Sequence, residues 1–105
     1  MKLSQLQKKY PKAFDKFFVS KQFPFYPLTD DVLESDVREC WVGITAFMDK
    51  RGIVISSIFD TTINKPFRSN VENGRYRDCG SFKSRPKAET KAIEKAFEIL
   101  EGRLK

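Results

Sequence analysis

Residues 80–100 read GSFKSRPKAETKAIEKAFEIL and set the layering of the whole chain. Ala88, Ala92, Ile93, Ala96, Phe97 and Leu100 recur at spacings that gather them on one face of a helical period. Lys87, Thr90, Lys91, Glu94, Lys95, Glu98 and Glu101 fall on the other side. Ser84 is placed to cap the first turn through its hydroxyl. Pro86 is tolerated there, because the amide it lacks would have no helical partner. Gly102 is the expected stop. Alanines at four-residue spacing let such a helix lie close against a sheet, so the stretch predicts the end of a strand followed by a sheet-covering helix.

Upstream, Arg75–Phe82 reads as the strand that feeds this helix, with Gly80 marking a bulge or a close approach. Asn73-Gly74 is a turn signal. Residues 60–74 form a long polar connection in which Pro66 argues against a central strand. A further short strand at Phe67–Val71 and a long exposed loop both remain open for this segment. Ile53–Phe59 reads as a strand. Before it, Cys40, Val42, Ile44, Ala46 and Met48 alternate with Trp41, Gly43, Thr45 and Phe47, which predicts a central strand covered on both faces. Asp49–Gly52 would then be a hairpin turn with Lys50 and Arg51 at its tip.

The first third of the chain is helical in pattern. Leu3 and Leu6 suit a short helix, which Pro11 interrupts. A second helix from Pro11 to about Ser20 points Ala13, Phe14, Phe17 and Phe18 inward. The segment FPFYPL at 23–28 reads as an extended connector whose rings cover the helix or the sheet edge. Thr29 caps a short helix near 30–37, with Asp30 and Asp31 in its first turn. The fold class is therefore α+β: an antiparallel sheet of three or four strands with N- and C-terminal helices on one face, in α-β-β-β-α order. Phe14, Phe17, Trp41, Ile44, Ile55, Ala92, Ala96 and Leu100 are the expected shared core.

Composition bounds the function. The 105 residues suit one domain, 1–105. No apolar run approaches the roughly 20 residues of a membrane helix, and the N-terminus lacks the apolar core of an export signal. A cytoplasmic chain with Cys40 and Cys79 reduced is the expectation. There is no histidine, which removes His-based metal sites, the Ser-His and Cys-His nucleophile systems, and the commonest general base. The acids of DDVLESDVRE lack the glycine-turned spacing of a calcium loop and suit a helix N-terminus instead. No glycine-rich phosphate loop is present either. No cofactor, metal or catalytic residue is expected.

The charge is +6 overall and uneven. Residues 1–21 hold six lysines against Asp15, and residues 29–39 hold five acids against Arg38. Residues 61–87 hold seven basic side chains against Glu72 and Asp78. Two basic zones around an acidic one suit a polyanion partner, or a solvated surface held away from zero charge.

Ser84-Arg85-Pro86-Lys87-Ala88-Glu89, followed by Ala92, Ala96 and Leu100, resembles the C-terminal helix of double-stranded RNA-binding domains. The resemblance implies an α-β-β-β-α fold and phosphate contacts from the basic start of that helix. Pro86 stands where that family has a second basic residue, and Glu89 where it has a phosphate-contacting lysine. The turn at 49–52 lacks the family's Gly-Pro-x-His element. The tail is also similar to small proteins of gut-bacterial phages and mobile elements, which implies a bacterial, cytosolic accessory protein.

Two function classes follow. In the first, Lys83, Arg85, Lys87 and Lys91 hold phosphates of RNA or DNA, and Lys50, Arg51, Arg75 and Arg77 extend the footprint. Trp41, Phe47, Phe59 and Tyr76 would stack on unpaired bases if they line an open sheet face, and would form the core if they do not. In the second, the chain is a protein-interaction module of the phage-accessory, antitoxin or immunity type. It would use the acidic 29–39 segment, the 61–74 loop or a sheet edge, the last also allowing a homodimer.

Overall fold

The computed structural model describes residues 1–25 and 28–105. Four helices come first: α1 (Leu3–Lys9), α2 (Pro11–Phe18), α3 (Asp30–Leu33) and, after a 3-10 turn at Val37–Cys40, α4 (Trp41–Asp49). Three strands follow, β1 (Val54–Phe59), β2 (Phe67–Glu72) and β3 (Tyr76–Phe82), and α5 (Arg85–Arg103) closes the chain. The sheet is antiparallel in the order β1-β2-β3. Helix α5 lies across all three strands, and α2 lies against α5. The α+β arrangement with a three-stranded antiparallel sheet is thus the expected one, and the C-terminal helix lies on that sheet as its alanine spacing predicts.

Local chemistry sets the helix ends. Tyr10, held out of the helical conformation before Pro11 at φ −133° and ψ 67°, separates α1 from α2. The Thr29 hydroxyl accepts the Val32 N–H, and the Ser84 hydroxyl accepts the Lys87 N–H. The helix α5 runs one residue past Gly102 to Arg103, so that glycine is not its stop. Ala13, Phe14 and Phe17 are buried as expected. The ring of Phe23 meets Phe14, Phe17 and Phe18 edge-on, so the described part of the 23–28 connector covers α2. Tyr26 and Pro27 of that connector lie outside the described residues.

Residues 40–48 correct the sequence reading: they form the 3-10 turn and α4 rather than a strand. Both periods fit this apolar run, and Cys40, Ile44, Phe47 and Met48 also make a helical stripe, buried here. The Asp36 carboxylate accepts the Arg38 N–H and starts the turn. Gly43 then lets α4 press on the chain before it, since a Cβ there would overlap the Gln22 carbonyl oxygen. Lys50 and Arg51 therefore sit after a helix, and Gly52 (φ 72°) makes the bend into β1.

The missing strand comes from Phe67–Glu72, which is the central strand β2. Pro66 stands just outside it, where its carbonyl accepts the Asp60 N–H and its missing donor costs no ladder bond. Asn73-Gly74 turns into β3 as expected, with Gly74 at φ 87°. The bulge sits at Cys79: Ser69 pairs with Gly80 and Asn70 with Asp78. Gly80, at φ 108°, takes the backbone conformation the bulge needs.

The register divides the sheet into two faces. Ile55, Ser69 and Val71 are buried on the face that α5 covers. Val54, Ile58 and Tyr76 stand exposed on the other, beside an Arg68–Asp78 ion pair. One core cluster joins Phe14, Phe17, Ile44, Ile55, Ala92, Ala96 and Leu100, with Trp41 half-buried at its margin. Glu101, expected on the outer side of α5, is buried and accepts the Ala13 N–H at 2.8 Å. It satisfies a donor that the first turn of α2 leaves without a helical partner.

Candidate functional site

The β3–α5 corner sets the site. Strand β3 delivers Lys83 to the surface, and Ser84 and Pro86 fix the first turn of α5. Lys83 and Lys87 share one side of that turn, and the β1–β2 connection brings Lys65 to them. The three lysines surround a surface cavity of about 260 Å³, completed by Ser81 and Phe82. All three are exposed, and no ion pair is found for Lys65, Lys83, Arg85 or Lys87 among the described residues. Nearby acids already have partners: Asp78 with Arg68, Asp36 with the chain's amino terminus, and Glu89 with Arg38 at 2.9 Å.

The helix terminus adds its dipole more than its hydrogen bonds. Ser84 takes the Lys87 N–H, and Pro86 has none to offer, so Arg85 N–H is the first-turn donor left free among the described residues. Arg85 itself turns away from the lysines. Its guanidinium lies 5.7 Å from the centre of the Phe67 ring. There it lines a second cavity, of about 280 Å³, with Trp41, Ser57, Ile58, Phe59, Phe67 and Glu89.

The other basic candidates lie elsewhere. Lys91 is exposed and 3.5 Å from Glu94, one turn beyond Lys87. Lys50, Arg51, Arg75 and Arg77 are at the opposite end of the sheet, where β1 starts and the β2–β3 turn lies. Arg51 carries structure: its guanidinium stacks 3.7 Å from the centre of the Phe47 ring and donates to the Phe47 carbonyl. Its own carbonyl accepts from Arg103 at the far end of α5. Burial lowers the Arg51 pKa. Arg77 pairs with Val71 on the covered face and has a buried Nε. Lys50 and Arg75 are exposed. The 19 residues of α5 separate the two ends, about 28 Å at 1.5 Å per residue. The eight basic residues thus form two groups and not one footprint.

The aromatic candidates divide as well. Phe47 is buried in the core, while Phe59 and Tyr76 are exposed on opposite faces and at opposite ends of the sheet. Sequence reading missed Lys65 and the Phe59–Phe67 pair, whose rings lie 5.1 Å apart. Taking Phe67–Glu72 as a strand would have placed Phe67 across from Phe59 and brought Lys65 back to the start of α5.

Other features offer less chemistry. A hollow of about 820 Å³ between α1 and α5 is open, and its Lys9 and Glu94 pair with each other. That hydrogen bond raises the Lys9 pKa and lowers that of Glu94. Burial pushes the Cys40 thiol up to about 11 and raises that of Cys79, which keeps both thiols protonated. No cluster of three or more metal-ligating side chains occurs among the described residues, and none of the described helices is long and apolar enough to cross a membrane. Comparison with known proteins finds no matching family, no matching curated protein and no matching solved structure.

Proposed function

We propose that this chain is a non-catalytic, cytoplasmic nucleic-acid-binding accessory module that holds phosphates at the start of α5. The observation that carries the reading is the convergence of Lys65, Lys83 and Lys87 on one cavity with no acid paired to them among the described residues. Three lysines from two separate segments at a helix N-terminus offer positive charge where the dipole adds to it. The resemblance of α5 to the last helix of double-stranded RNA-binding domains supports the same location. Glu89 departs from that family, and its pairing with Arg38 narrows the contact to the lysine side.

Replacing Lys65, Lys83 and Lys87 together by alanine tests this. Binding should weaken similarly for every sequence, because phosphate contacts position without specifying. The slope of log affinity against log salt should flatten by roughly 0.9 for each duplex phosphate the variant no longer neutralises, and roughly 0.7 on a single strand. Absence of binding by the unmutated chain at about 0.15 M salt, where the screening length is about 8 Å, would end the reading. It would favour the alternative of a protein-interaction module, which a different observation supports. Strand β1 is an edge without charge or proline, and Val54 and Ile58 are exposed on it.

A further inference from the structure

We infer that the cleft between Trp41, Phe59, Phe67 and Arg85 seats an unpaired base, so that the ligand at the α5 corner is a single-stranded polynucleotide. This rests on the nucleic-acid reading above and adds which form of nucleic acid is held. The cleft lies at the free edge of the sheet, between α4, the end of β1 and the first two turns of α5. The rings of Trp41, Phe59 and Phe67 line it beside the polar side chains of Ser57, Arg85 and Glu89. Phe59 remains 54% exposed although it packs on Phe67, so a flat apolar surface faces solvent beside a cation.

The polar groups suit a base edge. Arg85 stands over the Phe67 ring and is placed to continue the stack or reach a flanking phosphate. Arg38 binds Glu89 through Oε1 alone, with Nε at 3.0 Å, and no hydrogen bond to Oε2 is found among the described residues. Oε2 and the Ser57 hydroxyl are then acceptors for an exocyclic amine. Lys83 and Lys87 lie around the same helical turn, on the far side from Arg85. A strand crossing the start of α5 therefore meets aromatic rings on one side and lysines on the other. A duplex offers its phosphates to the lysines but keeps its base faces stacked, so it leaves the cleft empty.

Trp41 lines the cleft and is the chain's only tryptophan, so its emission reports occupancy. The full chain is titrated with oligodeoxycytidylate, with oligocytidylate, both of which carry the exocyclic amine these acceptors fit, and with a blunt DNA duplex of equal length, at fixed salt. Single strands should quench Trp41 and the duplex should not. Phe59→Ala should weaken single-strand binding roughly 5- to 150-fold, the range for removing one base–aromatic stack, and leave duplex binding unchanged. Phe59→Tyr should restore most of the loss. Because Phe59 is exposed, circular dichroism should show the alanine variant folded. The DNA and RNA arms show which sugar is preferred, and quenching by either supports the cleft. Binding without Trp41 quenching, or a Phe59→Ala variant with unchanged single-strand affinity, overturns the cleft while the lysine site stands. If no nucleic acid of any form binds, both fall.

Discussion

Gly43 shows how one residue without a side chain places an element. Helix α4 approaches the Gln22 backbone so closely that a methyl group at position 43 would overlap the carbonyl oxygen. Backbone cannot rotate away as a flexible side chain does, so Gly43→Ala must shift α4 or the 20–25 segment. The higher helix propensity of alanine recovers at most about 1 kcal/mol, while overpacking costs about 1–3 kcal/mol. The expected result is a lower midpoint of thermal unfolding, and an unchanged or raised midpoint would contradict the packing of α4. Glu101 makes the complementary point. A carboxylate read as outward-facing is buried because α2 begins against it and presents the Ala13 N–H. Nothing in the α5 sequence alone announces that neighbour.

At the scale of elements, α5 is the most legible part. Its apolar spacing, cap and alanine stripe come from local rules, and Ala88, Ala92 and Ala96 are fully buried in the folded chain. Ala96→Leu should overpack the interface between α5 and its neighbours and destabilise the fold by about 1–3 kcal/mol. Denaturant unfolding measures this directly, and an unchanged midpoint would show room where the structure has none. The strands are less legible. Residues 40–48 satisfy both the two-residue and the helical period, so pattern alone does not choose, and the decision rests on α4 meeting the segment before it. Phe67–Glu72 is obscured in the opposite way: as FRSNVE it is polar by composition, yet Ser69 and Asn70 are buried because β2 is central. Burial there follows from position between two strands, which no local window contains.

Across the whole molecule, charge is arranged by the two ends of the sheet. Lys83, Arg85 and Lys87 are readable as candidates because they adjoin a recognisable helix start. Lys65 is not, because its place depends on the β1–β2 hairpin. Lys50 and Arg75 look continuous with them in composition, but antiparallel strands carry them to the far end, where the Arg51 guanidinium donates to the Phe47 carbonyl and the Nε of Arg77 is buried. The proposed function requires nucleic acid to meet the α5 corner and not the far end. A nuclear magnetic resonance titration of the isotope-labelled chain with a short single-stranded oligonucleotide tests it most directly. Amide signals of Lys65, Phe67, Lys83, Arg85 and Lys87 should move together as ligand is added, while those of Lys50, Gly74 and Arg75 stay in place. Shifts confined to Lys50, Gly74 and Arg75, or no shifts at saturating ligand, would contradict it.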